Sequence, residues 1–472
     1  MRIEKLDHLL SRLQQKIFSP MDVALPLRFR RGQPEERAEI VTQDPNAWVQ
    51  VEPSLVWGEP ESYFWFATSV ELPDAARDRR VYLKVDAQFG NTRGRSDPQC
   101  LVRVNGKIAQ GADGNHRELL LTTEGKPGER FDILLEAGTI EDRRQHGMAM
   151  SLMLHDPLVE QVFYDLSVPL NVARLLAADD ARRHFILNTI DDALKAIDFR
   201  PGDAARFTAS LRQAEQLAKA IYEADDFENK PTVTVTGHTH IDVAWLWRIR
   251  ETRQKMARSM ATALALMEQY PDYQFMYNQG VLLDYLSEDY PELFERLQAQ
   301  VKGGRFEIEG ALWLEPDANI TNGESFARHI LHGVAYHEQT FGVTPRIFWL
   351  PDTFGYSAAL PQMMKLSDVD VFVTHKLSWN DTNRMPNETF HWEGIDGSTV
   401  AAYFLTTQPY TANGFGTTYC PDLKPTHVMG TWRRHSQQDL NSELFLVYGH
   451  GDGGGGPTRE MLENIRRMEK GI

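Results

Sequence analysis

The sequence predicts an α/β domain, built as a parallel sheet or irregular barrel with surrounding helices, preceded by a β-sandwich domain and a helical connector. Three patterns support this prediction. Aromatic and β-branched residues alternate between turn residues in the first third of the chain. A strongly helical pattern follows, and strand-like runs then alternate with helical ones, as in parallel α/β units. The points at which the pattern changes divide the chain into four predicted parts. They are an N-terminal helix (1–19), a β-sandwich (20–170), a helical connector (171–229) and the α/β domain (230–472).

The first predicted element is a helix over residues 6–18, because its apolar residues recur at helical spacing and would dock on the rest of the protein. The sandwich that follows contains strand-like runs separated by Gly, Asp and Pro. We interpret its aromatic side chains as sandwich core and domain interface, with a carbohydrate-binding face as the alternative; these are Trp57, Phe64, Trp65 and Phe66.

Composition narrows the classes of partner. The formal charge is −16, from 50 basic and 66 acidic residues, which argues against nucleic acid or an anionic membrane as the main partner. No apolar run approaches the ~18 residues of a membrane span, and residues 1–20 lack the apolar core of a signal peptide. Two distant cysteines do not suggest a disulfide framework. We therefore predict a cytoplasmic protein. The sequence is compatible with either a monomer or a homo-oligomer.

The predicted strands of the α/β domain end in polar side chains, and open α/β sheets bind ligands at the carboxyl ends of their strands. The strands are predicted near 232–236, 273–278, 305–312, 346–350, 370–374 and 444–448. His240 and Asp242 follow the first strand within one turn, and this pair suits a divalent transition metal, most plausibly Zn²⁺. The alternative is that Asp242 only caps the following helix.

Two further strand ends carry carboxylates. Asp352 follows the strand near 346–350, where it would serve as metal ligand, nucleophile or both, or simply as a turn residue. Trp313, Glu315 and Asp317 follow the strand near 305–312. Aromatic rings beside carboxylates suit a sugar, which stacks on the ring and hydrogen-bonds to the acid. The alternative is a core tryptophan with solvated acids. Lys376 follows another strand and is interpreted as a loop residue, with sugar binding as its alternative.

A glycine-rich turn, Gly449–Pro457, follows the last predicted strand and contains Asp452. It lacks the Lys-Ser/Thr of a P-loop and the spacing of a dinucleotide fingerprint, so nucleotide binding is not favoured. Glycines also allow a backbone to approach a ligand closely or to adopt positive φ.

Four motifs stand in the order seen in glycoside hydrolase family 38, the family of the α-mannosidases, and the chain resembles its cytosolic and bacterial branch from about Val51 to its last residue. The motifs are His240-Ile241-Asp242-Val243-Ala244-Trp245, Ala311-Leu312-Trp313-Leu314-Glu315-Pro316-Asp317, Trp349-Leu350-Pro351-Asp352-Thr353-Phe354-Gly355-Tyr356-Ser357 and Gly451-Asp452-Gly453-Gly454-Gly455-Gly456-Pro457-Thr458.

The resemblance implies a retaining hydrolysis of terminal non-reducing α-D-mannose from mannosides or oligosaccharides. It implies that His240 and Asp242 are the first two ligands of one zinc ion per chain, and that Asp352 is the nucleophile and also touches the metal. It places Trp245 at the floor of the sugar site. Asp452 is the candidate acid/base, with Asp317 as second choice. Trp313, Glu315, Asp317 and Tyr356 are expected to contact substrate.

The sequence departs from the family at one ligand. The fourth metal ligand of the family is a histidine in a His-Arg-Gly-Thr-like segment beyond the glycine-rich turn, and no such segment occurs before Ile472. We therefore expect a truncated catalytic half with weak or no activity. Two other functions stay open: a non-catalytic carbohydrate-binding fragment, and a metal-dependent deacetylase in which zinc activates water.

Overall fold

The computed structural model describes residues 2–52, 55–92, 95–140, 146–200, 202–223, 231–408 and 416–471. In its first part, the described strands are β1 (Phe18–Pro20), β2 (Arg28–Arg31), β3 (Val49–Gln50), β4 (Tyr63–Glu71), β5 (Arg80–Asp86), β6 (Gly90–Thr92), β7 (Arg95–Asp97), β8 (Gln99–Val104), β9 (Lys107–Ala112), β10 (Glu118–Thr122), β11 (Arg130–Gly138) and β12 (Ala149–His155).

These strands form two antiparallel sheets with a shared core. One sheet has the order β3-β2-β4-β11-β8-β9 and the other the order β1-β12-β5-β10, while β6 and β7 form a separate hairpin. Phe66 and Leu135 of the first sheet pack in one cluster with Leu83 and Leu152 of the second. Side chains of alternate residues meet between the sheets, as in a sandwich. Trp57, Phe64, Trp65 and Phe66 are all buried, which confirms their interpretation as core residues.

Helices form a separate layer beside the sandwich. They are α1 (Arg2–Gln14), α3 (Pro157–Leu175), α4 (Ala181–Ala196) and α5 (Ala204–Glu223), while the short α2 (Arg37–Ile40) packs on the sandwich, where Ile40 clusters with Trp48 and Trp65. Leu6, Leu10 and Leu13 of α1 pack with Leu166 of α3 and Leu211 of α5 in one hydrophobic cluster. The N-terminal helix and the connector are therefore parts of one helical unit.

Two boundaries differ from those that the sequence predicts. The first helix covers residues 2–14 rather than 6–18, because Phe18 and its neighbours leave the helix and pair with β12. Helix α3 begins at Pro157, inside the range assigned to the sandwich. The Asp156 side chain accepts hydrogen bonds from the backbone N–H groups of Leu158 and Val159, and proline suits the first helical position.

The remaining chain alternates strands and helices, which confirms the predicted α/β pattern. Its strands are β13 (Thr232–Gly237), β14 (Phe275–Tyr277), β15 (Phe306–Ile308), β16 (Ile347–Leu350), β17 (Val371–Thr374), β18 (Thr389–Glu393), β19 (Thr399–Phe404) and β20 (Glu443–Tyr448). Its helices are α6 (Ile249–Gln269), α7 (Gly280–Asp289), α8 (Pro291–Lys302), α9 (Gly323–Phe341), α10 (Leu360–Leu366), α11 (Pro425–Arg434) and α12 (Arg459–Met468).

Two four-stranded sheets carry this region, with the orders β15-β14-β13-β20 and β16-β17-β19-β18. All pairs are parallel except β18 with β19. The two sheets contact each other at two seams, one beside β15 and β16 and the other between β20 and β19. At one seam the Ala311 N–H donates to the Ile347 carbonyl at 3.0 Å, and at the other the Phe445 N–H donates to the Tyr403 hydroxyl at 2.8 Å.

Side chains from both sheets fill the space between the seams. Met276 of β14, Trp349 of β16, Val373 of β17 and Val447 of β20 pack in one buried cluster. The carboxyl ends of β13, β16, β17 and β20 consequently open toward one common edge. Among the helices that the structure describes, none combines the length and apolarity needed to cross a membrane. The cytoplasmic location stays a prediction.

Candidate functional site

Three side chains from two strand ends form a candidate metal centre. His240 and Asp242 follow β13, and Asp352 follows β16. Each offers one ligand atom, and these atoms all lie within 4.8 Å of one another. The Nε2 atom of His240 lies 3.6 Å from Oδ1 of Asp242. The fold therefore brings together the three residues that the sequence predicts as metal ligands.

The chemistry of this cluster fits a divalent cation. One imidazole and two carboxylates form a donor set that suits Zn²⁺. Within the described part of the chain, the buried Oδ2 atom of Asp242 has no hydrogen-bond partner. A buried carboxylate oxygen without a partner is unfavourable, and a cation would satisfy it. Burial lowers the pKa of His240, but Glu315 and Asp242 raise it well above its ordinary value, which reports the concentration of negative charge around the ring.

Glu315 connects the metal cluster to the loop that carries Asp352. Its Oε2 atom lies 3.2 Å from Nδ1 of His240. Its Oε1 atom accepts hydrogen bonds from the backbone N–H groups of Asp352 at 2.8 Å and Thr353 at 2.7 Å. A carboxylate on Nδ1 orients the ring so that Nε2 faces a metal, as is common for metal-bound histidines. Glu315 is thus placed to position two other residues, in addition to any contact with sugar that the sequence predicts.

We expect Glu315→Gln to weaken metal binding by about 10- to 100-fold, the usual scale for removing a partner of a metal-bound histidine. The amide keeps the volume of the side chain but loses the charge that faces His240. Zinc titration of the purified protein with a competing chelator measures the affinity. Glu309→Gln is the matched control, because this carboxylate also accepts backbone N–H groups but does so at the seam, from Arg346 and Ile347. Equal zinc affinity in both variants would contradict the positioning role.

A lysine lies against the candidate nucleophile. Nζ of Lys376, from the segment after β17, lies 2.5 Å from Oδ1 of Asp352 and 4.4 Å from the ring centre of Trp379. Burial raises the pKa of Asp352, but His240 and Lys376 lower it, and the net direction is downward. The Asp352 carboxyl group is therefore ionised, as both a metal ligand and a nucleophile must be.

Asp452 has the opposite electrostatic environment. It lies in the glycine-rich turn after β20, and its Oδ1 atom accepts a hydrogen bond from the Tyr419 hydroxyl at 3.2 Å. Burial and the Asp242 carboxylate raise the pKa of Asp452 above its ordinary value, against a lowering by His240. The ring of Tyr419 packs edge-on against His240, with the ring centres 5.5 Å apart. Asp452 is thus held beside the metal cluster in surroundings that shift its pKa upward.

A cleft of about 230 Å³ opens over His240, Asp242 and Asp352, whereas Asp452 is not among the described residues that line it. The residues that line it include His240, Asp242, Glu315, Asp317, Asp352 and Phe354. Asp317 also accepts hydrogen bonds from the backbone N–H groups of Asn319 and Ile320, so part of its carboxylate supports its own turn. The Phe354 side chain is 69% exposed at this cleft.

The predicted aromatic contacts are placed differently from one another. Trp245 is half exposed and packs edge-on against Trp247. Trp313 packs against Tyr336 and over Gly280, beside the hydrophobic core rather than among the residues that line the cleft. The Tyr356 hydroxyl donates to the Thr353 carbonyl and contacts the Thr374 hydroxyl, so it holds the Asp352 loop. Direct sugar contacts of Trp313 and Tyr356 receive no support from these positions.

Two residues of the site carry roles that sequence reasoning did not assign. The sequence favours a loop role for Lys376, with sugar binding as the alternative, although Lys376 follows a strand end as Asp352 does. Tyr419 lies in a segment without a recognisable pattern, and its contact with Asp452 depends on the fold. The position of Lys376 directly after a strand is a signal in the sequence that it belongs to the site. The sequence around Tyr419 contains no such signal.

Known proteins resemble this chain. Residues 230–471 match the model of the glycosyl hydrolases family 38 N-terminal domain. The chain is 37% identical to alpha-mannosidase 2C1 of Mus musculus, a match that covers 86% of this chain and 38% of that protein. It is 32% identical to an alpha-mannosidase of Saccharomyces cerevisiae (87% and 39% covered) and 30% identical to alpha-mannosidase G of Dictyostelium discoideum (87% and 37% covered). This chain therefore spans less than two fifths of the length of these relatives.

Proposed function

We propose, because this chain belongs to glycosyl hydrolase family 38, that its site cleaves terminal non-reducing α-D-mannose residues from mannosides or oligosaccharides with retention of configuration. The observation that carries this proposal is the position of Asp352. One ionised carboxylate lies in the metal cluster and against Lys376, at the edge of the cleft. The alpha-mannosidases that resemble this chain support mannose as the sugar.

A retaining glycosidase needs a carboxylate nucleophile and a second carboxyl group that acts first as acid and then as base. We assign Asp352 as the nucleophile, since its lowered pKa keeps it ionised. It attacks the anomeric carbon and forms a covalent mannosyl-enzyme as the glycosidic bond breaks. Water then attacks the same carbon and releases mannose.

We assign Asp452 as the acid/base. Burial and the Asp242 carboxylate raise its pKa, which is the direction that suits a group that starts the reaction as an acid. The carboxyl group gives its proton to the glycosidic oxygen as the leaving group departs, and the resulting carboxylate takes a proton from the attacking water in the second step. Two carboxyl groups with oppositely shifted pKa values are the pattern expected for this division of roles.

We further propose that a zinc ion binds at His240, Asp242 and Asp352, one per chain. When bound, it supplies a Lewis acid that holds and polarises sugar hydroxyl groups. Glu315 orients the imidazole of His240, and Lys376 compensates part of the carboxylate charge that the site concentrates. These contacts within the chain hold the reacting groups in fixed positions.

Loss of the acid predicts a characteristic kinetic result. We expect Asp452→Asn to lower kcat/KM for an unactivated mannoside, such as methyl α-D-mannoside, by about 10²- to 10⁴-fold. The loss for 4-nitrophenyl α-D-mannoside is expected to be much smaller, because its leaving group needs little protonation. Asparagine suits the test, since Asp452 has φ 53° and asparagine tolerates the left-handed region. Equal losses on both substrates would assign the proton to another group.

A further inference from the structure

The glycine-rich turn Gly449–Pro457 is held by side chains of the β-sandwich. Gln99 Nε2 donates to the Gly453 carbonyl at 3.2 Å, and Asn115 Nδ2 donates to the Gly454 carbonyl at 3.0 Å. His116 Nε2 lies 2.9 Å from the Pro457 carbonyl. Side chains from a distant part of the sequence thus bind three backbone carbonyl groups that follow Asp452 in the turn.

The two hydrogen-bond partners of the His116 ring determine its protonation state. Nδ1 lies 3.1 Å from Oδ1 of Asp113, and Nε2 faces the Pro457 carbonyl, so both nitrogens face groups that only accept. Both bonds form only if the ring is doubly protonated. In agreement, burial lowers the pKa of His116, but Asp113 raises it, and the net direction is upward. The ring therefore joins the β9–β10 turn to the end of the glycine-rich turn as a charged, buried donor.

The orientation of the Gln99 amide is also fixed by its hydrogen-bond partners. Its Oε1 atom accepts hydrogen bonds from Nζ of Lys255 at 3.0 Å and from the guanidinium of Arg258 at 2.5 Å, both on α6. The two cations leave the amide Nε2 as the group that faces Gly453. The side chain is buried, so this orientation is fixed by its surroundings.

The turn also fits tightly against these groups. A Cβ atom at Gly455 would lie 2.7 Å from Cε1 of His116 and 2.8 Å from Oδ2 of Asp113, and one at Gly453 would lie 2.6 Å from Cδ of Lys255. The glycines therefore permit close contact with the sandwich and with α6. Asp452 itself has φ 53°, in the left-handed region that aspartate and asparagine adopt more readily than most residues with a Cβ atom.

We propose that the β-sandwich positions the general acid: through Gln99, Asn115 and His116 it fixes the glycine-rich turn and thereby the direction of the Asp452 carboxyl group. The inference rests on the proposed function, since it requires Asp452 to be the acid. The three side chains are positioning residues, because they contact the backbone of the turn rather than the Asp452 carboxyl group. The sandwich thus takes part in the reaction through the backbone of the turn.

Two variants test the inference. His116→Gln removes the charge and one of the two donors, and Asn115→Ala removes a donor at an exposed residue, where misfolding is less of a concern. We expect each to lower kcat/KM for methyl α-D-mannoside by about 10- to 100-fold, the cost of a small misplacement of a catalytic group. The expected loss on 4-nitrophenyl α-D-mannoside is small. A purely structural defect would lower both values together.

The experiment measures kcat/KM on both substrates for these two variants and for Asp452→Asn. The matched control is His146→Gln, because His146 is a buried histidine of the sandwich that packs on Trp57. The inference stands if Asp452→Asn, His116→Gln and Asn115→Ala all affect the unactivated substrate selectively and the control does not. If only Asp452→Asn is selective, the inference is overturned and the proposed function stands. If Asp452→Asn is not selective, the assignment of the acid fails and the inference falls with it.

Discussion

Asp352→Asn is expected to abolish the hydrolysis of 4-nitrophenyl α-D-mannoside while the fold is kept. The amide has nearly the shape of the carboxylate, but it cannot form the covalent mannosyl-enzyme. Loss of a nucleophile typically costs at least about 10³-fold in kcat. Activity is measured at saturating zinc, because Asp352 also belongs to the metal cluster and its substitution will weaken metal binding.

A matched control separates loss of the nucleophile from loss of an aspartate that pairs with a cation. Asp370 lies at the start of β17, at the opposite end of the strand from the site, and it pairs with Lys365 at 3.0 Å and with Arg346. Asp370→Asn should therefore retain activity. Full activity of the metal-loaded Asp352→Asn protein would exclude Asp352 as the nucleophile.

The second large effect concerns the metal itself. We expect His240→Ala to lose bound zinc and, with it, the hydrolysis of the aryl mannoside. His240 is the one imidazole among the three clustered ligands, and it is also the partner of Glu315. Loss of a residue that only orients a metal ligand weakens metal binding by up to about 100-fold. Loss of the ligand His240 itself should weaken zinc binding by more than that. Elemental analysis after dialysis against a zinc buffer measures the bound metal.

A buried histidine on another element provides the control for this variant. His337 of α9 is fully buried, and burial lowers its pKa to about 4. His337→Ala creates a comparable gap in the protein without touching the metal cluster, so its zinc content should stay unchanged. Unaltered zinc content in the His240→Ala protein would place the metal elsewhere.

The sequence was most informative where a functional residue directly follows a strand. His240, Asp242 and Asp352 lie within a few residues of the ends of β13 and β16, and parallel strands bring such positions to one edge. The sequence alone therefore places the three predicted metal ligands together. The six predicted strands also all form, whereas the sequence does not predict β18 and β19.

Contacts between distant segments could not be predicted in the same way. Glu315 is recognisable as an acidic residue in a turn, but its bonds to the Asp352 loop exist only because β15 and β16 meet at a seam. The hold of His116 on the glycine-rich turn joins residues that are 341 positions apart. The helix ends shifted for a similar reason, since Phe18 gains a strand partner that the local pattern does not reveal.

The dependence of aryl mannoside hydrolysis on bound zinc tests the proposed metal-assisted mannosidase site most directly. The purified chain would be stripped of metal and reloaded in steps, with bound zinc and the hydrolysis rate of 4-nitrophenyl α-D-mannoside measured on the same samples. We predict that the rate, which the sequence leads us to expect to be low in this chain, rises in proportion to zinc and reaches its plateau at one ion per chain. Hydrolysis by the metal-free protein, or no hydrolysis at one bound ion per chain, would contradict the proposal.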